Sequence, residues 1–168
     1  MTNLMDSAEE AMASLLGAVT AAHTYANESG VAVAIPCYTG KASGVKSVPN
    51  VTCEAVGQGA EDPPFTGNYW VGMNVQVRYV AKQNPAGDNE AAADPKDADK
   101  SLVSAVANAL AADDLWSQLN TAAAALGIAF TVFDNAVLRD APTSGRDPEG
   151  TWIDEFGLRL YCCASTLS

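Results

Sequence analysis

The sequence reads as an α+β domain: a mostly antiparallel sheet of about five strands, with an N-terminal helix and two further helices packed on it. Three observations carry this expectation. The first is the stretch Gly67–Val80, in which Tyr69, Val71, Met73, Val75, Val77 and Tyr79 occupy every second position and Trp70, Gly72, Asn74, Gln76 and Arg78 lie between them. Side chains alternate between the faces of a strand, so the first set lines an apolar face and the second a mixed one. Such a strand suits the centre of a sheet with one wet side. The second observation is helical spacing of apolar residues near the start of the chain and again after residue 101. The third is a set of shorter alternating runs bounded by Gly, Pro and Asn.

In chain order, Met5–Tyr25 is expected to be helical, with Met5, Met12, Leu15, Leu16 and Val19 on one face and alanines over much of the rest. Ser7 with Glu10, or Asp6 with Glu9, has capping-box spacing. His23, the only histidine, falls near the expected helix end, where the dipole favours a cation. With no orienting carboxylate and nucleophile nearby, it reads as a helix-terminal residue and not a catalytic base. Val31, Val33 and Ile35 begin a strand that runs to Tyr38, and Val51–Val56 alternates as a second. Gly57–Gly67 reads as a loop closed by Pro63 and Pro64, which cannot donate to a ladder. The long strand follows.

Residues 83–99 are polar and acidic, with Asp88, Glu90, Asp94, Asp97 and Asp99. Their spacing does not fit a calcium loop, which needs acids at positions 1, 3 and 5, Gly at 6 and Glu at 12. A solvated, projecting loop is the expectation, and loops of this length are commonly functional or disordered. Asp97 or Asp99 is placed to cap a helix carrying Leu102, Val103, Val106 and Leu110. Asp113 or Asp114 is placed to cap the next, with Leu115, Trp116, Leu119 and Leu126 on its stripe and Gly127 at its end. Ile128–Phe133 is expected as a fourth strand, residues 134–150 as a second long connection, and Trp152–Cys163 as the last strand, whose apolar face Asp154 interrupts. Projecting loops are thus expected near 39–50, 57–67, 83–99 and 134–150 of a single domain spanning residues 1–168.

The 168 residues include 48% hydrophobic and 17% charged side chains, a composition that supports a core. The net charge of −11 and the scatter of the nine basic residues exclude a cationic grip on nucleic acid. The first ten residues hold three acids and no base, so no secretory leader is expected, and no apolar run is long enough to span a membrane. Cys37, Cys53, Cys162 and Cys163 show no C-x-x-C spacing and read as reduced, structural thiols of a cytoplasmic protein. Phosphate-loop, dinucleotide, hydrolase-elbow and zinc-protease motifs are all missing, and one histidine cannot supply a Ser-His-Asp set. The chain is therefore expected not to be an enzyme, and to use no metal or other cofactor.

The order helix, two strands, long strand, acidic loop, two helices, strand, long loop and last strand resembles the tail-terminator and minor tail (neck) proteins of long-tailed bacteriophages. The residues that carry the resemblance are the Gly67–Val80 strand, Asp97–Leu102 with its Ala-rich continuation, Asp114–Asn120, and Trp152–Leu160. It covers most of the chain as a pattern of elements. It implies a structural virion protein, made in the host cytoplasm, that forms a homo-oligomeric ring, commonly a hexamer. Such a ring ends the tail tube, joins it to the head-side connector, and lets DNA pass without specific binding; it has no catalytic residues. An acidic lumen would repel phosphate, in keeping with the charge. The alternatives are another virion part, such as a head-closure or tail-tube component, or a small-molecule-binding or enzymatic α+β domain, which would need a deep pocket with convergent polar groups, to be sought around Trp70, Asp154 and Arg159. The expected interface residues are Trp70, a large aromatic on the wet face, and the acidic arm Asp88, Glu90, Asp94 and Asp97.

Overall fold

The first helix, α1 (Leu4–Thr20), turns Ala8, Ala11, Met12 and Leu16 inward. In the computed structural model, which describes residues 4–26, 29–40, 48–60, 68–79, 102–128, 130–148 and 150–164, α1 both starts and stops earlier than its periodicity suggests. The start at Leu4 puts Asp6 and Ser7 inside the helix, so neither capping box forms. At the other end Thr20 Oγ1 donates back to Gly17 O at 3.2 Å, and the next residues turn into a short strand, β1 (Thr24–Ala26). Tyr25 therefore lies in a strand. β1 pairs with β2 (Ala32–Ala34) as an antiparallel hairpin apart from the main sheet. The single strand expected over Val31–Tyr38 is thereby split: after β2 the chain passes Pro36 and enters β3 (Cys37–Thr39), which pairs parallel with β4 (Asn50–Ala60).

β4 is twice as long as its alternation indicated. The expected loop at Gly57 is instead a β-bulge between Ala55 and Gly57, beyond which pairing to β5 (Asn68–Tyr79) continues to Ala60. A bulge adds one residue to one strand and leaves a backbone group without its ladder partner. On the other side of β4, just beyond the end of β3, the Ala55 N–H donates to the Glu9 carboxylate of α1 at 2.7 Å. β5 pairs along its whole length with β8 (Trp152–Ala164).

Helices α2 (Leu102–Ala111) and α3 (Leu115–Ala125) follow β5 in sequence. Asp114 holds the N-cap position of α3 as expected, but its side chain makes no capping bond and instead accepts from Gln118 Nε2 at 2.8 Å. Gly127 closes α3 at φ +71°, with Ile128 N–H donating to Ala123 O, the bond pattern of a left-handed helix stop. The expected connection over 134–150 is largely strand. β6 (Phe130–Arg139) and β7 (Thr143–Arg146) lie one after the other against the same side of β8, forming one interrupted edge. Asp147 N–H donates to Thr151 O, while its carboxylate accepts Thr151 N–H, so this aspartate turns the chain back into β8.

The main sheet thus has six strands in the order β3-β4-β5-β8-β6, with β7 also on β8, and only β3 runs parallel to its neighbour. One face carries Val51, Cys53, Val71, Met73, Val75, Val77, Phe156, Leu158, Leu160 and Cys162 into the core. α1, Leu102, Val106 and Leu110 of α2, and Leu115, Leu119 and Ala123 of α3 complete that core. Asp154 faces the same side at 8% exposure, and Tyr79 Oη donates to its Oδ2 at 2.7 Å. The interruption in the last strand is thus a buried carboxylate with a built-in donor. Arg139 ties the sheet edge to the helices: Nε donates to Leu110 O at 2.6 Å and Nη2 to Ala112 O at 3.0 Å, at the carbonyl end of α2. Among the described residues no helix is long and apolar enough to cross a membrane.

Candidate functional site

All three helices contribute to one side of the sheet, so the opposite side sets the candidate surface. The register gives its rows. Ile153 and Arg78 lie opposite one another, then Glu155 and Gln76, Gly157 and Asn74, Arg159 and Gly72, and Tyr161 and Trp70. On the far side of β5, Glu54 faces Asn74, Gly57 faces Gly72 and Gly59 faces Trp70. Glycines thus occupy positions on all three central strands. Without side chains they leave an open trough of about 640 Å³, bounded by Val56, Trp70, Leu138, Asp140, Glu155 and Arg159.

Trp70 shapes one end of this trough. Its indole lies flat over the β4 glycines: a Cβ on Gly59 would come within 2.6 Å of Trp70 Nε1, and one on Gly57 within 3.8 Å of the ring. The other face of the ring carries the Arg159 guanidinium, 4.7 Å from the ring centroid. The ring quadrupole attracts a cation in this position. Trp70 is therefore half-buried between main chain below and a cation above, all from its own chain. At the middle of the trough Asp140 crosses β8: Asp140 N–H donates to Gly157 O at 2.9 Å, and its carboxylate occupies the space that a side chain at 157 would fill. At the other end Gln76 Nε2 donates to Glu155 Oε1 at 2.7 Å.

Two apolar residues of the rim are exposed. Val56, pushed out by the bulge, is 61% exposed, and Leu138 on β6 is 56% exposed. The β1–β2 hairpin forms a second bare apolar feature: Val31, Ala32, Val33 and Ala34 are all exposed.

Of the residues expected at an interface, Trp70 lies in this trough. Asp88, Glu90, Asp94 and Asp97 fall outside the described residues, as do Asp99 and the proline turn at 63–64. Of the three residues expected to line a pocket in the alternative reading, Arg159 does meet Trp70, whereas Asp154 lies buried on the opposite, core face; Val56 and Leu138 were missed. The glycines were the available signal. Gly72 and Gly157 interrupt otherwise full strand patterns, and Gly57 and Gly59 share a parity with each other, as residues that clear a path on one face do.

Cys37 and Cys53 sit diagonally across β3 and β4, with their sulphurs 3.8 Å apart. Strand spacing and rise place diagonal Cα atoms roughly 8 Å apart, beyond the usual reach of a disulfide, so the pair is a hydrogen-bonded dithiol. The hydrogen bond between the two thiols lowers the Cys37 pKa and, together with burial, raises that of Cys53 well above the ordinary thiol value. Among the described residues no cluster of His, Cys, Asp and Glu is suited to hold a metal ion. His23 Nδ1–H donates to Val19 O at 3.2 Å beyond the end of α1, a helix-terminal role. The chain matches no family model and no curated protein.

Proposed function

We propose that the chain is a ring-forming structural protein of a tailed bacteriophage, a tail-terminator or neck subunit that ends the tail tube and joins it to the head-side connector. The observation that supports this reading most is the uncovered sheet face. Its rim exposes Val56 and Leu138 among Trp70, Arg159, Asp140 and Glu155, a mixed apolar and polar surface of the kind that a partner protein covers. The bare hairpin adds a second such surface, and two of them suit a subunit with neighbours on either side. The net charge of −11 suits a ring through which DNA passes without adhering. On this reading the tail tube protein and the head-side connector are its axial partners, and the chain is not an enzyme.

Immunogold labelling of purified virions tests the reading: label at the head–tail junction supports it, and absence of the protein from virions removes it. Label at the head vertex or along the tube would instead favour a head-closure or tube component. A second reading draws on the trough itself, which brings Trp70 and Arg159 together as a binding domain would. Its volume falls within the range of ligand sites, but its floor is bare sheet with wide access to solvent. A thermal-shift screen of small anionic and aromatic compounds separates the two. A saturable stabiliser lost in Arg159→Ala would favour the binding domain.

A further inference from the structure

The helix-covered face of the sheet ends, at one edge, in a pair of unlike thiols. β3, the edge strand, has three residues and among the described strands pairs with β4 alone. Cys37 opens β3, and the register sets it two rungs from Cys53 on β4. Their sulphurs are 3.8 Å apart. Cys53 is fully buried, whereas Cys37 is only half-buried. Helix α1 passes Cys37 at Gly17, where a Cβ would stand 4.0 Å from the Cys37 Cβ, so no side chain at that position covers the thiol. We propose that Cys37 is a thiolation site: it takes a mixed disulfide from a small-molecule disulfide and holds it, because Cys53, though in contact, cannot resolve it.

A thiolate, and not a thiol, attacks a disulfide. The hydrogen bond with Cys37, full burial and the nearby Glu9 carboxylate all disfavour a negative charge on Cys53. The charge therefore rests on Cys37, and Cys53 keeps its proton and donates it across the 3.8 Å contact. Cys37 Sγ attacks one sulphur of a disulfide R–S–S–R. The Cys37 S–S bond forms, the S–S bond of the reagent breaks with its electron pair on the departing sulphur, and RS⁻ leaves to take a proton from water; no further oxidant is consumed. A second exchange would have Cys53 Sγ attack Cys37 Sγ, close an internal disulfide and expel the remaining RS⁻. Two observations oppose that step. Cys53 is held as the thiol. The diagonal register also sets the Cα atoms roughly 8 Å apart, against at most about 6.8 Å in ordinary disulfides, so closure would have to pull β3 from β4. Hydrogen bonds anchor β3 at both ends: Val51 N–H donates to Pro36 O at 3.0 Å, and Gly40 N–H to Cys53 O at 2.7 Å. The adduct on Cys37 therefore persists until a small thiol removes it.

Cystamine, a compact cationic disulfide that a chain of net charge −11 attracts, is the probe. The folded full-length protein is treated with it near neutral pH, quenched in acid at intervals and mapped by mass spectrometry. Trypsin, cutting after Lys41, Lys46, Arg78 and Arg159, puts Cys37, Cys53 and the Cys162–Cys163 pair on separate peptides. The first cysteamine group is expected on the peptide that ends at Lys41, with the Cys53 peptide unmodified, and dithiothreitol should remove it. Cys37→Ser should lose this addition and keep the wild-type far-ultraviolet circular dichroism. Cys53→Ala, which removes the donor, should still take the adduct on Cys37 but severalfold more slowly. First addition on either of the other peptides would overturn the site. A cross-link between residues 1–41 and 47–78 would overturn the claim that Cys53 cannot resolve the adduct. Equal rates at Cys37 in the wild type and in Cys53→Ala would overturn the part given to the pair. Circular dichroism checks the fold of both variants, and the wild-type map decides the site without either.

Discussion

Tyr79→Phe removes one oxygen atom and isolates one carboxylate. Asp154 lies on the core face of β8 at 8% exposure, and Tyr79, 6% exposed at the end of β5, donates to it at 2.7 Å. Register pairs Asp154 with Val77 and Tyr79 with Trp152, so the phenol reaches diagonally across the two central strands. A hydrogen bond to a charged acceptor is worth about 1.5–3 kcal/mol, and the larger part of its loss is the cost of a buried acceptor left without a donor. The expected loss of stability is therefore about 2–3 kcal/mol. With a urea slope of about 1–3 kcal/mol/M, the unfolding midpoint should fall by roughly 1 M. In an Asp154→Ala background the same Tyr79→Phe change should cost less than about 1 kcal/mol, because no acceptor remains to be stranded. A midpoint that barely moves in Tyr79→Phe, or an equal fall in both backgrounds, would refute the claim that this pair makes the carboxylate tolerable in the core.

Three further predictions follow from single contacts. Gly59→Ala should displace the Trp70 indole and lose its stacking with Arg159, costing about 1–3 kcal/mol and changing the near-ultraviolet circular dichroism. Gly57→Ala, whose Cβ would meet the ring at 3.8 Å, should change that spectrum little. Arg139→Ala removes two donors from the carbonyl end of α2 and should cost about 1 kcal/mol in urea unfolding, with Arg139→Lys recovering part of it. Alkylation followed by peptide mapping should find Cys37 reacting first, with a pH midpoint below the ordinary thiol value, and Cys53 protected. Cys53→Ala should move the Cys37 midpoint upward. The raised Cys53 pKa adds stability that is present below the ordinary thiol value and declines as pH rises above it.

The long strand was legible because a period of two held over twelve residues, and its partner in β8 because Trp152–Cys162 repeats that pattern. The helices after residue 101 were legible from their stripes, and the stop at Gly127 from glycine's freedom at positive φ. Misreadings arose where a tertiary contact overrides local propensity. Gly59 looks like part of a loop until Trp70 is placed over it, after which absence of a side chain is what the strand requires, and Gly57 follows a bulge that only the pairing with β5 reveals. Alanines carry the helical pattern of α1 past Thr20, yet pairing with β2 extends the chain there. Residues 137–139 and 143–146 look like a polar loop because they lie at the sheet edge, paired with β8 on one side and with no further strand beyond them among the described residues. The trough was half legible. Trp70 stood out as an aromatic on the wet face and Arg159 as its possible neighbour, whereas the stacking between them and the separation of Asp154 onto the other face follow from the β5–β8 register.

The proposed ring requires this chain to assemble through surfaces that its own fold leaves exposed. The native mass of the purified full-length protein tests it most directly. A ring gives one discrete closed species at a fixed multiple of the 17.4 kDa chain, commonly six. A single species at 17.4 kDa that persists as concentration is raised would contradict it.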